Sequence, residues 1–111
     1  MSVDNPNTID FVGHNPQSDI VTLGIVEERE WDGSEQRRLE LEEKIQNYFS
    51  FIVDGQFAKT YPAYANKRVE IRLSYETAPD IETARLIETV KETLAEYNIG
   101  FVIAPLKRVG S

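Results

Sequence analysis

Apolar and polar positions alternate through "TIDFVG", with Ile9 and Phe11 on one side and Asp10 and Val12 on the other, the two-residue period of a strand. "HNPQS" interrupts it with turn formers: Pro16 fixes φ, and Asn15 can bond its own backbone. The β-branched run "DIVTLGIVEE" follows, so the expected unit is a hairpin with His14 at its tip. The period then lengthens. Leu41, Ile45, Tyr48, Phe49 and Ile52 recur at i, i+4, i+7, i+8 and i+11, which is one apolar stripe of a helix over residues 34–54. Asp32 and Ser34 both suit its N-cap, and Asp54-Gly55 supplies the stop.

"QFAKTYPAYANK" has aromatics without a sustained period and reads as an ordered loop with one helical turn. "RVEIRLSY" alternates cleanly, Val69, Ile71, Leu73 and Tyr75 inward and Arg68, Glu70, Arg72 and Ser74 outward, so this strand has one wet face. A second long helix starts at Pro79-Asp80, buries Ile81, Ala84, Ile87, Val90 (or Leu86) and Leu94, and stops at Asn98-Ile99-Gly100. "GFVIAPL" is a last short strand that Pro105 ends or places at an edge. The order β-β-α-β-α-β, with single-striped helices, predicts an α+β two-layer sandwich: a four-stranded mixed sheet with two helices on one face. The pattern leaves the strand order open. One domain over residues 1–111 is expected, with 1–6 and 107–111 as loose termini.

Composition narrows the function classes. The chain has no cysteine, which removes disulfides, thiolate catalysis and cysteine zinc sites. A formal charge of −7, with no basic stripe, disfavours nucleic acid and favours a basic protein partner. No apolar run has membrane-spanning length, and "MSVDNPNTID" lacks the basic and apolar parts of a signal peptide, so a cytoplasmic location is expected.

Candidate chemistry is sparse. His14 is the only histidine; Asp10 lies four residues away on an extended chain, on the order of 13 Å, and Asp19 alone can reach it across the turn. One imidazole and one carboxylate fall short of a zinc site, so His14 is expected to be an exposed turn residue. Acidic residues number 19, so pairs such as Glu42-Glu43 arise by chance on solvated helix faces. Asp10, flanked by apolar residues in a strand, is the carboxylate best placed for a raised pKa, although a structural bond to backbone amides or a base explains it more simply. The six glycines are scattered singly, with no phosphate loop. Trp31, Tyr61 and Tyr64 lie outside the periodic stripes, where they either cover the core edge or form a recognition surface.

"NPNTIDFVG", "EWDGSE", "LEEKIQNYFSFIVDGQ", "YP" and "VEIRL", in this order, resemble a family of small, mostly bacterial proteins classed as a domain of unknown function, number six-five-seven-two. The matching residues run from Asn5, Ile9 and Asp10 through Trp31, Leu41, Lys44, Ile45 and Tyr48 to Gly55, Gln56, Tyr61 and Pro62. The resemblance implies a stand-alone domain and carries no activity, cofactor or catalytic residue. Two classes of function follow. One is a non-enzymatic binding or protein-interaction module. The other is a small-molecule-binding domain or enzyme with a pocket between the sheet and the 56–67 loop, lined by Asp10, Tyr48 and Tyr61. The balance is against an enzyme, and no cofactor or metal is expected. Calorimetric titration of the untagged protein with zinc is expected to show no stoichiometric site; tight binding abolished by His14→Ala would overturn this.

Overall fold

The computed structural model describes residues 11–27, 31 and 34–106. Its elements are β1 (Phe11–Asn15), β2 (Ile20–Glu27), α1 (Glu35–Val53), a short α2 (Gln56–Thr60), a 3-10 turn (Pro62–Tyr64), β3 (Arg68–Tyr75), α3 (Ile81–Ala95) and β4 (Gly100–Pro105). The expected α+β class and mixed four-stranded sheet are present, and the helical turn after the first long helix is a separate five-residue helix.

The sheet runs in sequence order, β1-β2-β3-β4. β1 pairs antiparallel with β2, and the other two pairings are parallel. One face carries Val21, Leu23 and Ile25 of β2, Val69, Ile71 and Leu73 of β3, and Phe101 of β4. These form one core with Leu41, Ile45 and Tyr48 of α1, Phe57 of α2, and Ile87 and Leu94 of α3. The helices therefore cover that face alone.

Local signals set the boundaries. Ser34, not Asp32, is the cap seen for α1: its hydroxyl accepts from the Arg37 amide at 3.3 Å. Gly55, at φ 84°, takes the left-handed turn that ends α1 and starts α2. Asp80 caps α3 by accepting from the Thr83 amide at 3.3 Å and the Thr83 hydroxyl at 2.7 Å. The buried face of α3 holds the expected Ile87 and Leu94 and differs from expectation only in the first turn. Thr83 is buried, whereas Ile81 and Ala84 are exposed.

The turn after β1 also starts later than expected. His14 and Asn15 belong to the strand, and the loop is Pro16–Asp19. Asn15 organises it: its side-chain oxygen accepts from the Gln17 and Ser18 amides, and its carbonyl accepts from the Asp19 amide.

Within α1, Ile45 is 4% exposed while Phe49 is half-buried, edge-on to Tyr97 with ring centroids 4.8 Å apart. Ile45→Ala should cost about 2 to 5 kcal/mol in denaturant unfolding through lost burial and a cavity. Phe49→Ala should cost less, because its site is open to water. Equal or negligible losses in both would contradict this packing.

Candidate functional site

The residues singled out from sequence fall in different places. Tyr48 is fully buried, and its hydroxyl donates to the Gly24 carbonyl at 2.6 Å, tying α1 to the second strand. It is sealed from any ligand, so its expected role in a binding surface is corrected to one of helix seating. Lys44, one turn earlier, is also fully buried, with its ammonium 5.7 Å from the Tyr48 ring centroid. Asp10 lies outside the described residues. Trp31 is partly buried against the core beneath the Arg37 guanidinium, 5.4 Å from its ring centroid. Arg37 in turn donates to Glu27 at 3.1 Å, and Glu27 is fully buried. Sequence reasoning left Glu27 on the solvated surface.

Tyr61 and Tyr64 are partly buried, packed against the core in a run of rings. Phe57 to Tyr61 is 5.6 Å between centroids, Tyr61 to Tyr64 is 6.2 Å, and Tyr64 stacks on His14 at 5.4 Å. His14 is therefore not a free turn residue. Its side chain is 24% exposed, and its Nε2 lies 2.8 Å from Asp19 Oδ1. Lys67 donates to the same carboxylate, at 3.1 Å to Oδ2. Asp19, at φ 61°, is thus the clasp between the hairpin and the start of β3. Among the described residues no group of three or more His, Cys, Asp or Glu side chains is placed to hold a metal, and no helix is long and apolar enough to cross a membrane.

Three depressions matter for ligands. An apolar groove of about 270 Å³ lies between α1 and α3, lined by Ile45, Phe49, Leu86, Val90 and Leu94, with Glu42 among its polar walls. A polar depression of about 400 Å³ joins Asn66, Lys67 and Arg68 to Asn98 and Ile99, and includes neither Tyr48 nor Tyr61. The third lies on the uncovered face of the sheet, about 350 Å³ between Phe11, Gly24, Val26, Arg72 and Ser74.

That face is the most distinctive surface. Register places Phe11, Gly24, Arg72 and Val102 in one row across the four strands. Gly13, Thr22, Glu70 and Gly100 form the next row, and Val26, Ser74 and Ala104 line up on the other side. Phe11 is 56% exposed and Val102 38%. The Phe11 ring lies along its own strand over Gly13, where a Cβ would come within 2.8 Å of it, and beside Gly24, where a Cβ would lie 3.2 Å from its Cδ1. Glu70 accepts from the Thr22 hydroxyl at 3.2 Å. Among the described residues, neither Arg68 nor Arg72 has a hydrogen-bond or ion-pair partner. Sequence reasoning missed Phe11, Arg72 and Val102. The available signal was the pair of glycines that register brings beside an aromatic.

The clasp has a pH signature. Hydrogen bonds from His14 first and Lys67 second hold the Asp19 carboxyl below its ordinary 3.8. A depressed folded-state pKa contributes stability above the unfolded value, and that contribution is lost as pH falls through the folded value. The stability gap between wild type and Asp19→Asn should therefore shrink as pH falls below about 4. Urea unfolding across that range measures it, and a gap unchanged at acid pH would show that the clasp contributes nothing.

A family model described as a family of unknown function, DUF6572, matches residues 1–107. No curated protein and no solved structure matches the chain. A match over nearly the whole length, on a chain folded as one α+β sandwich, assigns it: the protein belongs to the DUF6572 family.

Proposed function

We propose that this protein is a non-enzymatic protein-interaction module and that it makes contact through the uncovered face of its sheet. The observation that carries the reading is the exposed row of Phe11, Arg72 and Val102, which stands beside the glycines Gly13, Gly24 and Gly100. Exposed apolar groups grouped on one face, with polar groups around them, are the usual form of a protein contact surface. A small-molecule site needs walls and convergent polar groups. Tyr48 and Tyr61, the side chains that would have lined the alternative pocket, are taken up by the Gly24 carbonyl and by Phe57 and Tyr64.

The same packing supports a covering role for Tyr61 and Tyr64 and moves recognition away from the 56–67 loop. Trp31, whose buried indole N–H has no hydrogen-bond partner among the described residues, packs against the core and takes no part in this face. The charge of −7 supports a basic partner at long range, because it sets the field beyond the contact itself.

Phe11→Ser and Val102→Ser, compared with Tyr61→Ala, test the reading. The first two should lose at least about 90% of a partner captured from native lysate, with the melting temperature within about 2 °C of wild type. Tyr61→Ala should lower the melting temperature and keep the partner. Capture unaffected by both face variants would overturn the face as the contact surface.

A further inference from the structure

We propose that the groove between α1 and α3, on the opposite side of the molecule from the uncovered sheet face, is a docking site for a basic amphipathic helix of a partner protein. It is a second contact surface, independent of the first.

α1 carries two stripes. Leu41, Ile45 and Tyr48 point into the core. A neighbouring line, Leu39, Glu42, Gln46, Phe49 and Val53, recurs at i, i+3, i+7, i+10 and i+14, and its middle members Glu42, Gln46 and Phe49 line the groove. Leu39 is 56% exposed and Val53 45%, so the apolar members of this line are not spent on the core. α3 supplies the other wall with Leu86, Thr89, Val90 and Thr93, and the edge-on contact of Phe49 with Tyr97 joins the walls at one end. The gap holds about 270 Å³. An apolar cavity of about 150 Å³ takes a benzene molecule, so one large apolar side chain fits here. Leu39 and Val53, about 21 Å apart along the helix, remain to meet other turns of the same occupant.

The walls decide what form that occupant takes. Both are helices, whose N–H and C=O groups are already paired within each helix. An extended segment laid between them would bury its own amides without partners, which is costly. A helix brings its own hydrogen bonds and presents apolar side chains at i, i+3 or i+4 and i+7, the same spacing as the line on α1.

Charge decides its sign. The two helices expose Glu35, Glu42 and Glu43 from α1 and Glu82, Glu88 and Glu92 from α3. Arg85 and Lys91 are each held by a glutamate one turn away, Glu82 and Glu88. The sheet face instead sets Arg68 and Arg72 against Glu70. Among the described residues the excess of carboxylates therefore lies on the helical side, around the groove, where a second copy of the chain would bring like charges together. Lysine or arginine flanking the apolar ridge of an incoming helix would meet Glu35 and Glu42 along the α1 wall.

The probe is a fluorescein-labelled peptide of about 18 residues, with leucine at i, i+3, i+4 and i+7 and lysine elsewhere. A scrambled peptide of the same composition keeps the charge and loses the apolar face. Fluorescence anisotropy with the full chain should show the patterned peptide binding at least about tenfold tighter than the scrambled one, and weakening as salt is added. Glu42→Lys and Thr89→Arg, both at exposed positions, should each weaken it about fivefold or more at unchanged melting temperature. Phe11→Ser should leave it unchanged. Amide shifts in isotope-labelled protein should move at Leu39, Gln46 and Thr93. Equal binding of the two peptides, indifference to both groove variants, or shifts centred on Phe11 and Val102 would overturn the helix site. So would groove shifts that follow dilution of the protein alone, the mark of a second copy, or that follow n-hexanol as well as the peptide, the mark of a small-molecule pocket. Absence of peptide binding, with Phe11→Ser still losing a captured partner, would sink this inference and leave the sheet-face reading standing.

Discussion

Gly24 is where the two sides of the molecule depend on one residue. Its carbonyl accepts the buried Tyr48 hydroxyl at 2.6 Å, a short bond between α1 and the second strand. Its missing side chain leaves the space beside Phe11, since a Cβ would lie 3.0 Å from the Phe11 Cβ and 3.2 Å from its Cδ1. A larger residue would have to displace the ring or shift the strand. A strand shift would carry the carbonyl away from Tyr48 and leave a buried hydroxyl unpaired, which costs more than the bond itself contributes. The seat of the long helix and the shape of the uncovered face are thus set together.

The uncovered face follows from connectivity. The strands lie in sequence order, and both long crossovers, through α1 and through α3, pack on one side of the sheet. Among the described residues no helix lies on the second face. Folds that cover both faces of a parallel sheet reverse the direction of winding partway through, and this chain does not. The consequence is written in the small residues there. Gly13, Gly24, Gly100, Ser74 and Ala104 leave most of the surface flat, so Phe11, Arg72 and Val102 stand out from it.

How much of this was legible depends on what periodicity encodes. β3 was read correctly at Val69, Ile71 and Leu73, because one face is apolar and the other polar, whereas Tyr75 at its end is only partly buried. The α1 stripe was legible for the same reason. The facing of β1 was not, since Phe11 and Val12 are both apolar and a two-residue period gives no sign. Val12 packs against the core and Phe11 points away from it, a choice made by register with β2. In α3 the stripe was legible at Ile87, Val90 and Leu94 and failed only in the first turn, where Thr83, bonded to the Asp80 cap, is buried in place of Ile81 and Ala84. Glu27 and Lys44 were out of reach for a different reason. Burial of a charge depends on partners distant in sequence, Arg37 in the first case, and composition suggests only that charges are solvated. The bond of His14 to Asp19 was legible as a reach across the turn, whereas the stacking of His14 on Tyr64 joins segments that no local pattern connects.

The candidate site was the least legible part, and the physics of recognition explains why. Catalytic sites advertise themselves through residue types that must converge, such as a nucleophile with its base or several ligands for one metal. A contact surface needs only area, shape and the absence of repulsion, and these depend on pairings between strands rather than on any residue type. Phe11 looked like a core residue, Arg72 like a solvated one and Val102 like part of a buried strand. Only their common row makes them a surface. The aromatics that drew attention in sequence, Tyr61 and Tyr64, instead spend their area on Phe57, His14 and each other, within the molecule.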